Sequence, residues 1–284
     1  MLAMKQKLVV TWADPSTDAE VKRSGADETV YALKGFSYSA LSAHTVDELA
    51  GLSAWSVLVN RLFAQDEMEK LKALLLTLSK TDVAYVYFAD AAVYRLAPNS
   101  LQTRLIYRPE TLVTSLMEVQ WWLQRGIAFA AVSPLVTLEE LQTIVHGDER
   151  VEISIHGRLL QSVSRRKLLS AYGAYAGVSY PFTKTEGLTI METKRPYRFP
   201  IYEQEEGTLI YTDFVQESFA DIRSLAAAGR FFVESVTLPK EEVKEALSIY
   251  RSLLQGKQPD YEAFRRRYAH TGYSRGYYGQ KTIL

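Results

Sequence analysis

Val151-Glu152-Ile153-Ser154-Ile155-His156-Gly157-Arg158, continued by LLQSVSRRKLLS from Leu159 to Ser170, decides how this chain is read. Val151, Ile153 and Ile155 alternate with Glu152 and Ser154, the period of a strand. The strand is expected to stop at His156-Gly157, because glycine frees the backbone for a sharp turn. Arg158, Arg165, Arg166 and Lys167 then bring a run of positive charge. A strand that ends in His-Gly and delivers several cations has the makings of a site rim. The plainer reading is that His156 is a surface or hydrogen-bonded residue at a strand end.

Outward from this stretch the chain reads as repeated strand-then-helix units. Six apolar runs precede it, ending near Trp12, Leu33, Val59, Phe88, Tyr107 and Val132, and one follows, Phe231 to Ser235. Helical spacing or capping signals lie between them. Thr45 to Glu48 and Thr137 to Glu140 read as capping boxes, in which a threonine and a glutamate three residues on satisfy each other's backbone N–H groups. Asp66–Ser79, Thr111–Arg125, Val215–Ala228 and Pro239–Leu254 read as helices. Thr189 to Thr212 holds two alternating runs around Gly207, the pattern of an inserted hairpin. Eight short apolar strands alternating with helices predict an α/β fold, a TIM-like (β/α)8 barrel. The barrel is expected over residues 1–258, with the β-hairpin region 187–212 inserted between strands 7 and 8. A basic, Tyr-rich tail, 259–284, packs on the barrel or extends from it. The alternative is an open doubly wound sheet with an added β-domain. No Gly-x-Gly-x-x-Gly follows the first strand, and no phosphate loop, zinc-helix motif or nucleophile elbow is present.

In a barrel of this kind chemistry sits where strands hand over to the loops that follow them. Those positions hold Asp14, Lys34, Asn60, Asp90, Arg108, His156 and Glu234. Lys34, Arg108 and Arg166 are candidates to bind an anionic ligand through charge-assisted hydrogen bonds, with Asn60 beside them. His156 and Glu234 are the candidate proton-transfer residues. Lys34, Arg108, His156 and Arg166 are expected to meet in one cleft. In the tail, Arg265, Arg266, Arg267 and Arg275 lie among Tyr268, Tyr273, Tyr277 and Tyr278. Arginines neutralise phosphates and aromatic rings stack on unpaired bases, so these four are candidate RNA contacts. A packed, structural tail is the competing reading.

Formal net charge is zero, so nucleic acid would have to be bound by a local patch rather than by the field of the whole molecule. The chain has no cysteine, which removes disulfides, thiol nucleophiles, zinc–thiolate sites and ordinary iron–sulfur ligation. No metal site is expected. No apolar run reaches the length of a membrane span, and MLAMKQKLVV is too soon interrupted for a signal peptide. A cytoplasmic protein without a membrane partner is expected.

The stretch Glu152 to Gly157, followed by Ser164-Arg165-Arg166-Lys167-Leu168-Leu169-Ser170, resembles the signature of peptidase family U32. That signature is a Glu, an apolar strand, His-Gly, then Ser-Gly-Arg-Cys-Leu-Leu-Ser. Gly25-Ala26-Asp27 through Tyr31 to Phe36, Arg198 to Glu203 with Gly207-Thr208, and Tyr273 to Gly279 resemble further segments of the family in the same order. The resemblance implies a TIM-like barrel and adds Arg198 to the candidate ligand contacts. Members carry a collagenase-like protease label, while others are linked to RNA base hydroxylation, notably of tRNA uridine at position 5, or to hydroxylation in quinone synthesis. Those members bind an iron–sulfur cluster through cysteines. Leu160 and Lys167 occupy the first two of those positions here, so no cluster is expected on this chain. The resemblance therefore implies a cluster-less component of tRNA hydroxylation acting with tRNA and a cysteine-bearing relative. A peptide hydrolase and a non-catalytic scaffold remain the alternatives.

Overall fold

The computed structural model describes residues 6–178, 187–194 and 196–280. Position 195 of the inserted region and residues 281–284 of the tail lie outside them. Eight parallel strands close into a barrel: β1 (Lys7–Thr11), β2 (Glu28–Leu33), β3 (Trp55–Val59), β4 (Val86–Phe88), β5 (Leu105–Tyr107), β6 (Phe129–Ala131), β7 (Val151–Gly157) and β8 (Arg230–Val233). Closure is made by β8, which pairs in parallel with both β1 and β7. The expected (β/α)8 barrel is the observed fold, and its strands end where the apolar runs end.

Two cores result. Outward-facing Val10, Leu33, Val57, Phe88, Ile153 and Val233 pack on the helices. Val9, Val30, Leu58, Tyr87, Ile106, Phe129 and Phe232 fill the lumen. Fully burying a side chain of this size contributes about 1.5–3 kcal/mol. The polar alternation of β7 also has a cause: Val151, Ile153 and Ile155 face the helices, while Glu152 and Ser154 face a charged lumen. Both capping boxes form, at Thr45–Glu48 and Thr137–Glu140. No helix among the described residues is long and apolar enough to cross a membrane.

The region between β7 and β8 departs from the expectation. The hairpin is there, Arg198–Gln204 against Gly207–Tyr211, but it is the centre of a four-stranded antiparallel sheet. Thr189–Met191 forms one edge and Leu160–Ser164, from the basic run, forms the other. This sheet roofs the C-terminal end of the barrel. Val215–Ala228 is not a helix. Val215–Glu217 is a strand, antiparallel to β7 and parallel to Tyr273–Ser274 of the tail, followed by a short 3-10 turn at Ile222–Leu225. Pairing with two distant segments overrides local helical preference there. The Thr111–Arg125 helix is shorter than expected, Leu116–Leu123, because Ser115 caps it.

Candidate functional site

A column of alternating charge runs up the lumen. At the floor, Arg230 bonds Glu28 through Nη2 (2.6 Å) and Glu152 through Nε (3.0 Å). The other oxygen of Glu152 accepts from Arg108 Nη1 at 3.1 Å, and Arg108 Nη2 donates to Ser154 Oγ at 2.9 Å. Tyr87 donates its hydroxyl to Glu152 and accepts from Arg230. The Arg108 guanidinium lies 3.7 Å above the Phe232 ring and 3.4 Å from Glu110. Burial alone would weaken these guanidinium charges, but Glu110 and Glu152 hold the Arg108 pKa above its ordinary value. Tyr87, Glu28 and Glu152 do the same for Arg230. Arg108 is thus a permanent cation fixed at the mouth.

Around it the strand ends bring Asn60, Ser154, His156, Arg158 and Glu234 to one cavity, with Tyr38, Glu110 and Tyr211 closing the sides. Glu234 Oε1 accepts from Thr11 Oγ1 (2.6 Å) and Val236 N–H (3.1 Å). Burial pushes its carboxyl pKa up, against the pull of those hydrogen bonds and of Arg108. Glu234 therefore holds its proton to a higher pH than a free glutamate, as suits a group that gives and takes protons. Asn60 is a positioner: its side chain bonds both the N–H and the carbonyl of Tyr38. Arg158 is held away from the centre by Thr237 Oγ1 and the Thr212 carbonyl. The free space is small, about 20 Å³ for the centre of a water-sized sphere, room for about one water. Beside it, between the β3 and β5 loops and the roof strand Leu160–Ser164, opens a vestibule of about 280 Å³ that shares Tyr38, Asn60, Arg108 and Glu110. Tyr38 is buried, and its hydroxyl has no hydrogen-bond partner among the described residues.

His156 does not act as its place in the sequence implies. Strict alternation would point it into the lumen after Glu152 and Ser154. Instead β7 carries one extra residue against β8: Phe232 pairs with Ser154, but Val233 pairs with His156. Such a bulge re-aims the side chain beyond it. The His156 ring borders the cavity but packs among Phe219, Tyr250, Phe264 and Tyr273, with centroids 5.5–6.3 Å away. Tyr250 donates its hydroxyl to the Ile155 carbonyl (2.7 Å), so the network assigns the His156 proton to Nδ1, which faces Tyr250 Oη at 3.3 Å. Nε2 is sealed from solvent and has no hydrogen-bond partner among the described residues. Burial drives the His156 pKa down to about 3, so the ring is neutral.

Of the other expected contacts, Lys34, Arg166 and Arg198 are exposed and do not line the cavity. The expected meeting of Lys34, Arg108, His156 and Arg166 in one cleft does not form, because Lys34 lies beyond β2 and Arg166 rides on the roof. Asp14 caps a short 3-10 turn, and Asp90 caps the helix Ala91–Leu96. In the tail, Arg265 pairs with Glu217 (2.7 Å), Arg267 with Glu245 (2.6 Å) and Arg275 with both oxygens of Asp221. Arg266, 3.8 Å from Asp260, is the loosest of the four. Most of the tail's charge is met within the chain, and Phe264 and Tyr273 close over His156.

Sequence reasoning missed Tyr38, Glu110 and Tyr211. Glu110 follows the Arg108-Pro109 strand end, and its backbone φ is +63°. A non-glycine residue in that region is strained, and strain of this kind gathers at sites. Gly157 also has a sharper role than a turn. Its φ is +112°, and a Cβ there would lie 2.1 Å from the Glu234 carbonyl oxygen. The glycine lets β7 pass close enough to β8 to hold Glu234 at the mouth.

The residues do not fit an iron–sulfur cluster. Leu160 packs with the Tyr38 and Tyr211 cluster, Lys167 is exposed, and the chain has no thiolate to offer. Among the described residues no group of His, Cys, Asp and Glu is arranged to hold a metal ion.

Comparison with known proteins gives a consistent assignment. The chain is 26% identical to tRNA hydroxylation protein P2 of Bacillus subtilis (strain 168) over 217 residues, 73% of this chain and 70% of that protein. The structure of the U32 peptidase Mk0906 superposes with a TM-score of 0.52 at 13% identity, covering 84% of this chain and 96% of that one, a likeness of fold. The family description for peptidase family U32 matches residues 22–282. With that match running from the end of the first helix into the tail, the chain belongs to peptidase family U32.

Proposed function

We propose that this protein is a cluster-less component of tRNA uridine 5-hydroxylation, which binds and positions the RNA while a cysteine-bearing relative supplies the redox chemistry. The observation that carries this reading is the similarity to tRNA hydroxylation protein P2 across 73% of the chain. The site is compatible with it. Arg108 offers a fixed cation, Glu234 a carboxyl that retains its proton, and the vestibule an apolar approach to both. No oxidation step is assigned to this chain.

An independent peptidase fits the geometry less well. A hydrolase of the serine type needs a nucleophile in hydrogen-bond reach of a base. The hydrogen bond of His156 goes to Tyr250, and Ser154 Oγ accepts from Arg108.

The test is genetic and chemical. Deleting the gene should abolish 5-hydroxyuridine in tRNA while the cysteine-bearing relative is still made. Complementation should succeed with the wild-type chain and fail with Glu234→Gln or Arg108→Met. Anaerobically purified protein should contain no iron. Normal hydroxylation in the deletion strain, or cleavage of a collagen-derived peptide by the purified chain, would overturn the proposal.

A further inference from the structure

The helix Leu168–Ala176 on the roof carries no charged residue, yet it lies almost entirely in solvent. Gly173 is its one buried position. Leu168, Tyr172 and Tyr175 follow one another at spacings of four and three, so they share a face. Tyr172 is 63% exposed and Tyr175 is 91% exposed. Leaving two tyrosines in water forgoes the burial that normally holds a short helix. The helix is instead held at its base. Leu169 N–H and Ser170 N–H donate to Glu203 at 2.7 and 3.0 Å, and Leu168 N–H donates to Thr208.

The approach to this face is positively charged. Arg165, Arg166 and Lys167 run straight into the helix. Arg165 is tied to the barrel through Glu67, which also holds Arg61, so the strand end is pinned to the β3 loop. Arg166 and Lys167 are exposed, and neither forms an ion pair among the described residues. The contrast with the tail matters: there the arginines have carboxylate partners, whereas here neither the cations nor the rings have a partner among the described residues.

Building on the tRNA reading above, we propose that this face of the roof is a single-stranded RNA platform. Arg166 and Lys167 take backbone phosphates, and Tyr172 and Tyr175 stack on unpaired bases. Their side chains leave the helix about 4.5 Å apart along its axis, by the rise of 1.5 Å per residue. Stacking of this kind tolerates any base, because every base has a π-face. Cations at the base of the helix and rings along it fit a strand that lies across the roof and turns down toward the vestibule. Unpaired cations beside exposed rings are the combination a single strand uses, phosphates on the cations and bases on the rings.

Binding of an unmodified tRNA transcript and of an oligouridylate to the full chain tests this, with Tyr172→Ala/Tyr175→Ala, Arg166→Ala/Lys167→Ala and Tyr172→Phe/Tyr175→Phe as variants. The alanine pair at the tyrosines should weaken both ligands at least tenfold, and the phenylalanine pair should restore binding. The Arg166/Lys167 pair should weaken binding and flatten its salt dependence by about one to two counterions. If the wild type binds and both alanine pairs bind within twofold of it, the platform proposal fails while the tRNA reading survives. If the wild type binds neither RNA, the tRNA reading itself fails. Loss of association with the cysteine-bearing relative in the tyrosine variant, with RNA affinity unchanged, would make the face a protein interface and overturn the platform.

Discussion

His156 in its aromatic box makes a sharp prediction at the scale of one residue. Its pKa in the folded chain is about 3, below the ordinary 6.5, so folding favours the neutral ring. That contribution is fully present above about pH 6.5 and is lost as pH falls toward the folded value, at about 1.4 kcal/mol per unit. His156→Phe, which keeps an aromatic ring among Phe219, Phe264 and Tyr273, should remove this slope. Urea denaturation of both proteins between about pH 7.5 and pH 4 measures it; parallel curves would mean that the ring is protonated in the folded chain. Arg230 gives a second test. Its guanidinium is 1% exposed and bonded to Glu28 and Glu152, so Arg230→Met leaves buried Glu28 without its cation and Glu152 with Arg108 alone. A loss of about 3–5 kcal/mol is expected, with part of it recovered when Glu28→Gln is added. Arg108, His156 and Glu234 are legible in the sequence as strand-end residues. The outward turn of His156 is not, because one extra residue in β7 leaves no mark on an alternation that ends there anyway. Tyr38 and Tyr211 are equally silent in the sequence, since loop and roof segments bring them to the mouth.

Among the elements, the barrel strands are readable because each is a short β-branched or aromatic run with a turn signal behind it, and their neighbours are local. The roof is harder. Leu160-Gln161-Ser162-Val163-Ser164 has little apolar pattern of its own, and it becomes a strand by pairing with Gly207–Tyr211, more than forty residues on. Val215–Glu217 is a strand for the same reason. Gly157 joins the two scales. A side chain there meets the Glu234 backbone rather than a flexible tip, and the positive φ adds strain. Gly157→Ala should cost about 3 kcal/mol or more, seen as a depressed thermal midpoint or as insoluble protein. Gly207→Ala would meet the Ser164 carbonyl oxygen at 2.0 Å, which should loosen the roof while sparing the barrel. Amide exchange should then speed up in Leu160–Ser164 and Gly207–Tyr211 and stay slow in β1 to β8; equal acceleration everywhere would show that roof and barrel unfold together.

For the whole molecule, the tail is part of the body. Phe264 is fully buried, Tyr278 bonds Ser218, and Tyr273–Ser274 extends the sheet beside β7. Truncation after residue 258 should expose the His156 box, detected as dye binding and aggregation in size-exclusion chromatography; a monodisperse, non-binding truncate would show the tail to be an appendage. Arg275→Ala alone should cost only about 0.5–1 kcal/mol, because its side chain is 57% exposed and solvent screens the pair. The Glu28–Arg230–Glu152 bridge has a wider consequence. It corks the floor of the barrel, with Tyr85 and Phe129 against the guanidinium. A tube corked at one end has a single door. Anything that enters past Tyr38 must leave past Tyr38, so arrival and departure share one passage.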